Sequence, residues 1–598
     1  MSVNYIYTQI NQKVPDNNDI TILGNASGVT DQGRVIGEEY YSATVKYGAS
    51  LTLNRNNARL TIGGDYAGNA NISYLGHQMR ENVTAVRFAQ DGAVIFAAQT
   101  GAAGAVGNQD ANLVVTARHE AYSEQNYWTN NAPITDNVSV SAFEAGGTLS
   151  VVGDIAGTIS AVSDSRLLGL FQKSNDKYEA KNTSVNQAGN SVGLKARALA
   201  IGNGFTGIVR AETKTHIAGF ASNEVTGNTF SASGIETTEG VTGGVGEWSG
   251  AIFANSSDSI FEASVARLNP SEQGDRSSDK ATLSNNTIKA SGISAGGTVK
   301  IDNMVAGMPG GSVIGEVNLN IGALVEGNVL SADVSKADAD VNIAMSNNVL
   351  ASVGIKAGTL ELGRFGNDAM IAAQTSGNSM TTSFGSAPKK KSFSFTGNRI
   401  SATGFEVTDL KAEDFYGTLQ ANLTGNQLQL AGWTDSIDAD VEFLAYGINA
   451  SGKIEASNNF AGTITVNSLD NIGHINQFKV HNSKIITYGI KANSFTVNGI
   501  IDTDISVYAH TNETWDVQST FGISVDTLKA DAFSGTLTVL GSRGTFGIYA
   551  SNASGGISSN VAGDAFDING DIISTLYGVF SYGKICLLYT SPSPRDRS

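Results

Sequence analysis

A recurring asparagine-to-glycine pattern is the feature that most constrains the fold of this 598-residue chain. In each copy an asparagine is followed six residues later by a glycine and then by an apolar residue. The clearest copies run through residues 226–235 and 284–293. The marker asparagines are Asn228, Asn286, Asn348, Asn398 and Asn426, with partial copies at Asn328 and Asn378. Self-similarity of this kind predicts a repeat architecture rather than a series of unrelated domains.

A second pattern begins at the glycine and ends in a Gly-Thr-apolar segment that follows an aromatic residue. The two glycines of each clear copy are Gly404 and Gly417, Gly447 and Gly462, and Gly522 and Gly535. The aromatic residues that precede the second glycine are Phe415, Phe460 and Phe533, and looser copies run through residues 143–159 and 193–208. The pattern predicts a strand, a corner and a second strand in each copy.

The intervals between marker asparagines are uneven. The shortest run from Asn328 to Asn348 and from Asn378 to Asn398, and the longest runs from Asn228 to Asn286. We therefore expect a unit of about 20–30 residues, the length of one coil of a β-solenoid, with insertions. This unit is shorter than a propeller blade, which needs roughly 40 residues, and it lacks the helices of ankyrin or tetratricopeptide repeats.

The residue types within one copy agree with a strand. In the segment 535–540, Leu537 and Val539 should point inward and Thr536 and Thr538 outward, because strand side chains alternate. Glycine and asparagine supply the positive φ angles that corners need. Asparagines at equivalent corners could stack into a ladder of amide hydrogen bonds. The alternative is that each asparagine only forms its own turn.

These patterns predict an all-β fold, a parallel β-helix (β-solenoid) with some twenty-odd coils in a rod on the order of 100 Å long. An array of antiparallel β-sandwiches is the competing fold, but it should show hairpin turns every 8–12 residues or so. We divide the chain into an irregular N-terminal β region at 1–140, the repetitive solenoid at 141–585 and a tail at 586–598. The tail contains the only cysteine, Cys586, and resembles translated adapter DNA, so we interpret it as non-native.

The amino-acid composition restricts the classes of partner and chemistry that the chain can have. The net charge of −17 disfavours a nucleic-acid partner, which requires a basic face. No apolar run approaches the roughly 20 residues of a membrane-spanning helix, so we expect no membrane insertion. Charged residues make up only 16% of the chain, and the segment before the tail contains no cysteine, so we expect neither a disulfide framework nor thiol chemistry.

Few residues suggest chemistry. The six histidines, none in a metal-binding spacing, are His77, His119, His216, His474, His481 and His510, and we interpret them as surface or turn residues. Two copies of Asp-Ala-Asp-Val, at 338–341 and 438–441, would put two carboxylates on one strand face, which can bind Ca²⁺; the alternative is a solvated strand. Residues 243–248 miss the calcium nonapeptide because Trp248 replaces the required aspartate. We interpret the lysines at 389–391 as a solvated loop. We therefore assign no catalytic, cofactor-binding or metal residue.

The Gly-Ile/Phe start with its downstream Phe-x-Gly-Thr-Ile/Leu strand resembles the passenger regions of autotransporter-like and adhesin-like bacterial proteins, over residues 141–585. The resemblance implies a right-handed parallel β-helix, export across a Gram-negative outer membrane and an adhesive or surface-layer role. Neither the signal peptide nor the C-terminal translocator of that family is in this sequence, so we expect the chain to be an internal piece of a longer protein.

We accordingly predict a non-catalytic structural or adhesive stalk, located extracellularly or at the cell surface. The expected partners are host-surface, glycan or matrix ligands, or other copies of the chain, and no cofactor is expected. Two alternatives remain open: a β-helical polysaccharide-active enzyme (lyase or hydrolase) and a phage-type fibre protein. The enzyme would need Asp, Lys and Arg clustered on one face of adjacent coils, and the fibre would form trimers.

Overall fold

β-Strands separated by glycine- and asparagine-containing turns make up the described chain, as expected from its many Val, Ile and Thr residues. The structure is a computed structural model. It describes side chains within residues 139–164, 189–217, 224–263, 281–307, 318–333, 342–383, 394–429, 440–471, 484–509 and 519–539, apart from a few positions inside these ranges. Further strands between residues 20 and 581 are described by their backbone alone. The described residues form no helix.

Most strands belong to two large sheets. The first sheet contains Ile20–Ile22, Thr52–Leu53, Arg59–Ile62, Glu81–Phe88, Ala93–Phe96, Ile134–Val151, Ser184–Ile201, Glu224–Thr226, Thr229–Thr242, Glu247–Trp248, Asp279–Ser284, Thr287–Ala295, Thr298–Met304, Val341–Ser346, Val349–Phe365, Lys391–Phe415, Ala439–Ala450, Lys453–Ala456, Lys484–Val497, Val517–Ala530, Thr545–Gly555 and Asp567–Ile568.

The second sheet contains Ala26–Ser27, Tyr66–Ala67, Asn69–Gly76, Gln109–Tyr122, Ile155–Leu168, Ile208–Ala218, Ala251–Ser257, Ile260–Ser264, Ile321–Glu326, Val329–Val334, Met370–Ser376, Ser379–Phe384, Thr418–Thr424, Gln427–Leu430, Thr463–Leu469, Ile472–Ile475, Asp504–Ala509, Leu537–Gly541 and Val579–Ser581. The short strands outside both sheets pair as Gln172–Ser174 with Lys177–Glu179, Ile500–Ile501 with Ala532–Phe533, and Ser559–Asn560 with Ser574–Thr575.

Strand pairing is parallel throughout the described strands, except in the small hairpin of Gln172–Ser174 with Lys177–Glu179. The chain alternates between the sheets: it adds a strand segment to the first sheet, then one to the second, and returns. We call each such segment a rung. Each rung pairs in register with the next rung of its own sheet; for example, Val349–Phe365 pairs with Lys391–Phe415 over most of its length. The parallel pairing excludes an antiparallel sandwich array for these strands.

The repeat length predicted from the asparagine intervals is wrong, because stacked strands lie further apart along the sequence than that length. Hydrogen-bonded rungs are offset by 58, 62 and 50 residues at Asn228, Asn286 and Asn348 respectively. The shorter intervals arise because the repeats that begin at Asn286, Asn348 and Asn398 carry one marker asparagine in each sheet. Asn328 lies in the second sheet's series and Asn348 in the first, so the interval between them measures only part of one repeat.

The two sheets pack against each other through a column of glycines in the first sheet. A Cβ atom added at Gly354 would lie 2.7 Å from Ile371 Cγ2 of the second sheet and 2.6 Å from the carbonyl oxygen of Gly404 on the next rung. The column consists of Gly193, Gly234, Gly292, Gly354, Gly404, Gly447, Gly489 and Gly522, which face Val209, Ile252, Ile321, Ile371, Leu419, Ile464, Ile505 and Leu537. The first glycine of the sequence pattern is therefore required by close sheet packing.

An apolar, largely aromatic column fills the core where the chain passes between the sheets. In rung order it contains Ile155, Phe205, Trp248, Met304, Phe365, Phe415, Phe460 and Ile501. Phe415 and Phe460 stack with ring centroids 4.2 Å apart. The glycine after each aromatic leaves room for the ring of the preceding rung: a Cβ at Gly462 would approach Phe415 to 2.9 Å. This explains the aromatic-x-Gly-Thr pattern.

The predicted alternation is confirmed at the segment that motivated it. Leu537 and Val539 are 3% and 2% exposed, whereas Thr536 is exposed and Thr538 half-buried. The predicted division into 1–140, 141–585 and 586–598 stays a prediction. Strand pairing itself continues across residue 140, since Ile134–Val151 pairs with Glu81–Phe88 and with Ala93–Phe96. The 586–598 tail with Cys586 lies outside the described residues.

Candidate functional site

A buried asparagine ladder runs along the first sheet. Asn228, Asn286, Asn348 and Asn398 occupy the same corner of four successive rungs, each at most 1% exposed. Each side-chain Nδ2 donates to the Oδ1 of the next asparagine, over 2.7, 2.9 and 2.9 Å. The backbone N–H groups of the first three donate to the same oxygens at 3.2 Å. The ladder therefore satisfies buried polar groups rung by rung.

A second ladder runs along the second sheet. Asn328, Asn378, Asn426 and Asn471 form it, with Nδ2-to-Oδ1 distances of 2.8, 2.9 and 2.8 Å. Ser259 precedes them, and its backbone N–H donates to Asn328 Oδ1 at 2.9 Å. In both ladders the residue before each asparagine has a positive φ, from 53° at Asp470 to 70° at Gly227, and Asp258 before Ser259 has a φ of 49°. Gly, Asn and Asp tolerate this geometry best, which explains their choice at the corner.

The predicted asparagine ladder is thus confirmed, in two copies rather than one. The sequence pattern grouped Asn426 with Asn348 and Asn398, whereas the structure places Asn426 in the second sheet beside Asn378. Asn328 and Asn378, which look like partial copies in sequence, are full members. The reason is that the glycine six residues later belongs to the first sheet's packing, so its absence says nothing about the second ladder.

The structure describes only some of the residues considered for chemistry. His216 is half-buried on the strand Ile208–Ala218, and His474 lies on Ile472–Ile475. His481, the proposed neighbour of His474, lies outside the described residues, as do Asp338, Asp340 and Asp438. Of the four aspartates in the two Asp-Ala-Asp-Val copies, only Asp440 has a described side chain, which is half-buried.

The remaining sequence candidates have simple outcomes. Trp248 is 2% exposed and packs on Phe205 with ring centroids 5.4 Å apart. The segment at residues 243–248 therefore contributes a tryptophan to the core. Lys389 and Lys390 lie outside the described residues. Within the side chains that the structure describes, no group of three or more His, Cys, Asp or Glu residues is placed to hold a metal ion.

The outer face of the first sheet carries the most distinctive polar surface. Lys289, Lys356 and Arg399 lie on three adjacent rungs and are all exposed. Their neighbours at the outward positions Ala351, Val353, Ser401 and Thr403 are small and only 5–8% exposed. The long cationic side chains thus extend beyond the small residues that lie between them. We call this surface the cationic patch.

The electrostatics of the cationic patch are unbalanced. Lys356 Nζ donates to Glu406 Oε1 at 2.7 Å. Lys289 and Arg399 form no ion pair with any residue that the structure describes. Burial lowers the pKa of Lys289, and the positive charge of Lys356 lowers it further. Three cations therefore share the surface with a single directly paired carboxylate.

An aromatic strip continues the same outer face on the following rungs. Tyr446, Tyr488 and Phe521 occupy one register position on three adjacent rungs, with successive ring centroids 5.5 Å apart. Lys491 Nζ lies 5.8 and 5.5 Å from the two tyrosine ring centroids, a cation–π arrangement. Burial raises the pKa of Tyr446 to about 12. The strip is therefore a packed, weakly hydrated extension of the patch.

Sequence reasoning missed both outer surfaces. Lys289, Lys356 and Arg399 are far apart in sequence, and none lies in a conspicuous motif. A signal existed, however: once the glycines at 292, 354 and 404 are aligned as one column, Lys289 falls three residues before its glycine, Arg399 five before and Lys356 two after. With strand alternation, that alignment places Lys289 and Arg399 on one face. Lys356 joins them because alternation breaks at the corner, where Gly354 and Ile355 are both buried.

Comparison with protein families, with curated proteins and with solved structures finds no match to this chain. In the part of the chain that the structure describes, no helix has the length and hydropathy needed to cross a bilayer.

Proposed function

We propose that the chain is a parallel β-solenoid that serves as a structural or adhesive stalk without catalytic activity. The observation that carries this proposal is the pair of asparagine ladders, which continue across four rungs in each sheet. Such ladders join each rung only to its neighbours, which is the property of a quasi-one-dimensional fold.

The packing supports a role in extension rather than chemistry. The glycine column, the apolar column and both ladders repeat on successive rungs, so these buried residues serve stacking. Ten rungs of the first sheet follow one another from Ile134–Val151 to Thr545–Gly555, and nine steps of about 4.8 Å extend about 45 Å. With the three preceding rungs at Ile20–Ile22, Arg59–Ile62 and Ala93–Phe96, the stack reaches about 60 Å. This is shorter than the rod of about 100 Å expected from the sequence, because each repeat uses about twice as many residues.

The proposal also includes the cellular location of the protein and the handedness of its coil. We place the protein outside the cell or at the surface of a Gram-negative bacterium, with a right-handed coil, on the resemblance of its repeats to autotransporter and adhesin passengers. Its ligands would be glycans, host-surface or matrix molecules, or other copies of the chain. The low content of charged residues and the near absence of cysteine are compatible with an exported repeat protein.

Single-molecule stretching of the full chain from its two ends tests the stalk directly. Repeats of 25 to 62 residues, the offsets between paired rungs of the first sheet, should release one after another, each adding about 85–210 Å of contour length. The expected trace is therefore a series of steps whose lengths follow these offsets. Unfolding of the whole chain in one event, or steps that do not match the offsets, would contradict a stalk of stacked repeats.

A polysaccharide-active enzyme is the second candidate, and the cationic patch with Glu406 favours it. Lys289, Lys356, Arg399 and Glu406 lie on one face of adjacent rungs, the arrangement expected of such an enzyme. Measured depolymerisation of an acidic polysaccharide by the full chain would replace the stalk by this candidate.

A further inference from the structure

We propose that Lys289, Lys356 and Arg399 form a binding site for an acidic polysaccharide, a polymer with a carboxylate or sulfate on its sugars. This inference names the ligand class of the adhesive function proposed above and rests on it.

The register of three rungs sets the geometry of the site. Lys289 pairs with Ala351, which pairs with Ser401; two residues away, Val349 pairs with Arg399. Lys356 lies on the middle rung, on the other side of Val353. Since adjacent rungs are about 4.8 Å apart, Lys289 and Arg399 lie on rungs about 10 Å apart. The outward residues between them, Ala351 and Ser401, are small and almost covered, so the longer cationic side chains form the exposed surface.

The charge state of the three side chains supports an anionic ligand. Ion pairs join cations elsewhere on these sheets to nearby carboxylates, as Lys411 to Glu361 at 2.9 Å and Lys484 to Glu442 at 3.4 Å. Lys289 and Arg399 form no ion pair with a described carboxylate, although the negative charge of Glu406 also acts on Lys289. A guanidinium and an ammonium without a direct ion-pair partner recognise carboxylate or sulfate oxygens through charge-assisted hydrogen bonds.

The surroundings favour a polysaccharide over a nucleic acid. The chain carries a net charge of −17, which repels a polymer with a phosphate on every unit. A polysaccharide with one carboxylate per sugar carries less charge per unit length than duplex DNA, and its apolar faces suit contact with aromatic side chains. The aromatic strip of Tyr446, Tyr488 and Phe521 continues the same outer face, so a linear polymer along the stacking axis would meet cations first and aromatics next.

Titration calorimetry with the full chain tests the site. The probes are polygalacturonate, dextran sulfate, neutral dextran and single-stranded DNA. The test variant is the double substitution Lys289→Gln/Arg399→Gln, which leaves the Lys356–Glu406 ion pair intact. The matched control is Arg364→Gln, which removes one exposed positive charge from the strand that also carries Lys356.

The wild type and Arg364→Gln are expected to bind polygalacturonate or dextran sulfate equally. The double variant should lose about tenfold in affinity or more, and its binding should depend less on salt. Binding only to dextran sulfate would identify sulfate as the recognised group, and binding only to polygalacturonate a carboxylate; either supports the site.

Four results would overturn the inference: no binding of either acidic polymer by the wild type, undiminished binding by the double variant, equal binding of neutral dextran, or tighter binding of DNA. Circular dichroism and the melting temperature of each variant establish that it is folded. The stepwise unfolding on stretching reports on the stalk independently, so its presence without polymer binding would overturn only the ligand assignment.

Discussion

Replacing Asn348 with alanine is expected to lower the free energy of unfolding by about 3 kcal/mol. The substitution removes the Oδ1 acceptor that takes two N–H groups of Asn286, and the Nδ2 donor that serves Asn398 Oδ1 and the carbonyl oxygen of Leu283. Asn348 is 0% exposed, so water does not replace these partners without rearrangement. Urea unfolding followed by circular dichroism measures the loss.

The adjacent residue provides the control. Asn347 has a φ of 56°, is exposed and contributes only a surface contact of 3.3 Å to Asn285. Glycine adopts the same backbone angle freely, so Asn347→Gly should change stability by less than about 0.5 kcal/mol. Equal losses from the two substitutions would show that the turn, and not the ladder, holds the corner.

Substituting Gly354 with alanine is the second large effect, with an expected loss of about 3 kcal/mol. The new Cβ would lie 2.6 Å from the Gly404 carbonyl oxygen and 2.7 Å from Ile371 Cγ2. The carbonyl belongs to the backbone of the next rung, so relief requires the rungs or the sheets to move apart. The same urea titration reports the change.

A substitution at Gly522 measures the cost of contact between the sheets apart from the cost of contact with the backbone of the next rung. The atoms nearest to a Cβ at Gly522 all belong to the side chain of Leu537. The cost of Gly522→Ala should therefore fall by about 1 kcal/mol or more when Leu537→Ala is also present. Strict additivity of the two substitutions would contradict close packing of the sheets at the glycine column.

The sequence predicted the secondary structure and the corner chemistry well because both are local. Alternation at Leu537 and Val539, the turn asparagines and the aromatic-x-Gly-Thr pattern all depend on residues within one strand or one turn. Each has a physical counterpart in the structure: a buried strand face, a ladder and an apolar column.

The length of the repeat could not be predicted in the same way. Two similar corners occur in every repeat, one in each sheet, and a spacing pattern does not distinguish a corner from its counterpart across the core. Asn426 illustrates this, since its sequence neighbourhood matches Asn398 while its hydrogen bonds join it to Asn378 and Asn471. The cationic patch was missed for a related reason: Lys289 and Arg399 become neighbours only once the register between rungs is known.

The in-register parallel stack is the central claim, and one distance tests it most directly. Lys300, Glu361, Lys411, Glu455, Thr496 and Lys529 occupy one register position on six successive rungs. Spin labels at Lys300→Cys and Lys529→Cys, in a chain with Cys586→Ser, report the separation of the first and last rungs by pulsed electron resonance.

Five steps of about 4.8 Å predict a backbone separation of about 24 Å in a single narrow distribution, although the two labelled positions are far apart in sequence. A mean separation more than about twice that value, or a broad distribution without a peak, would contradict the parallel stack.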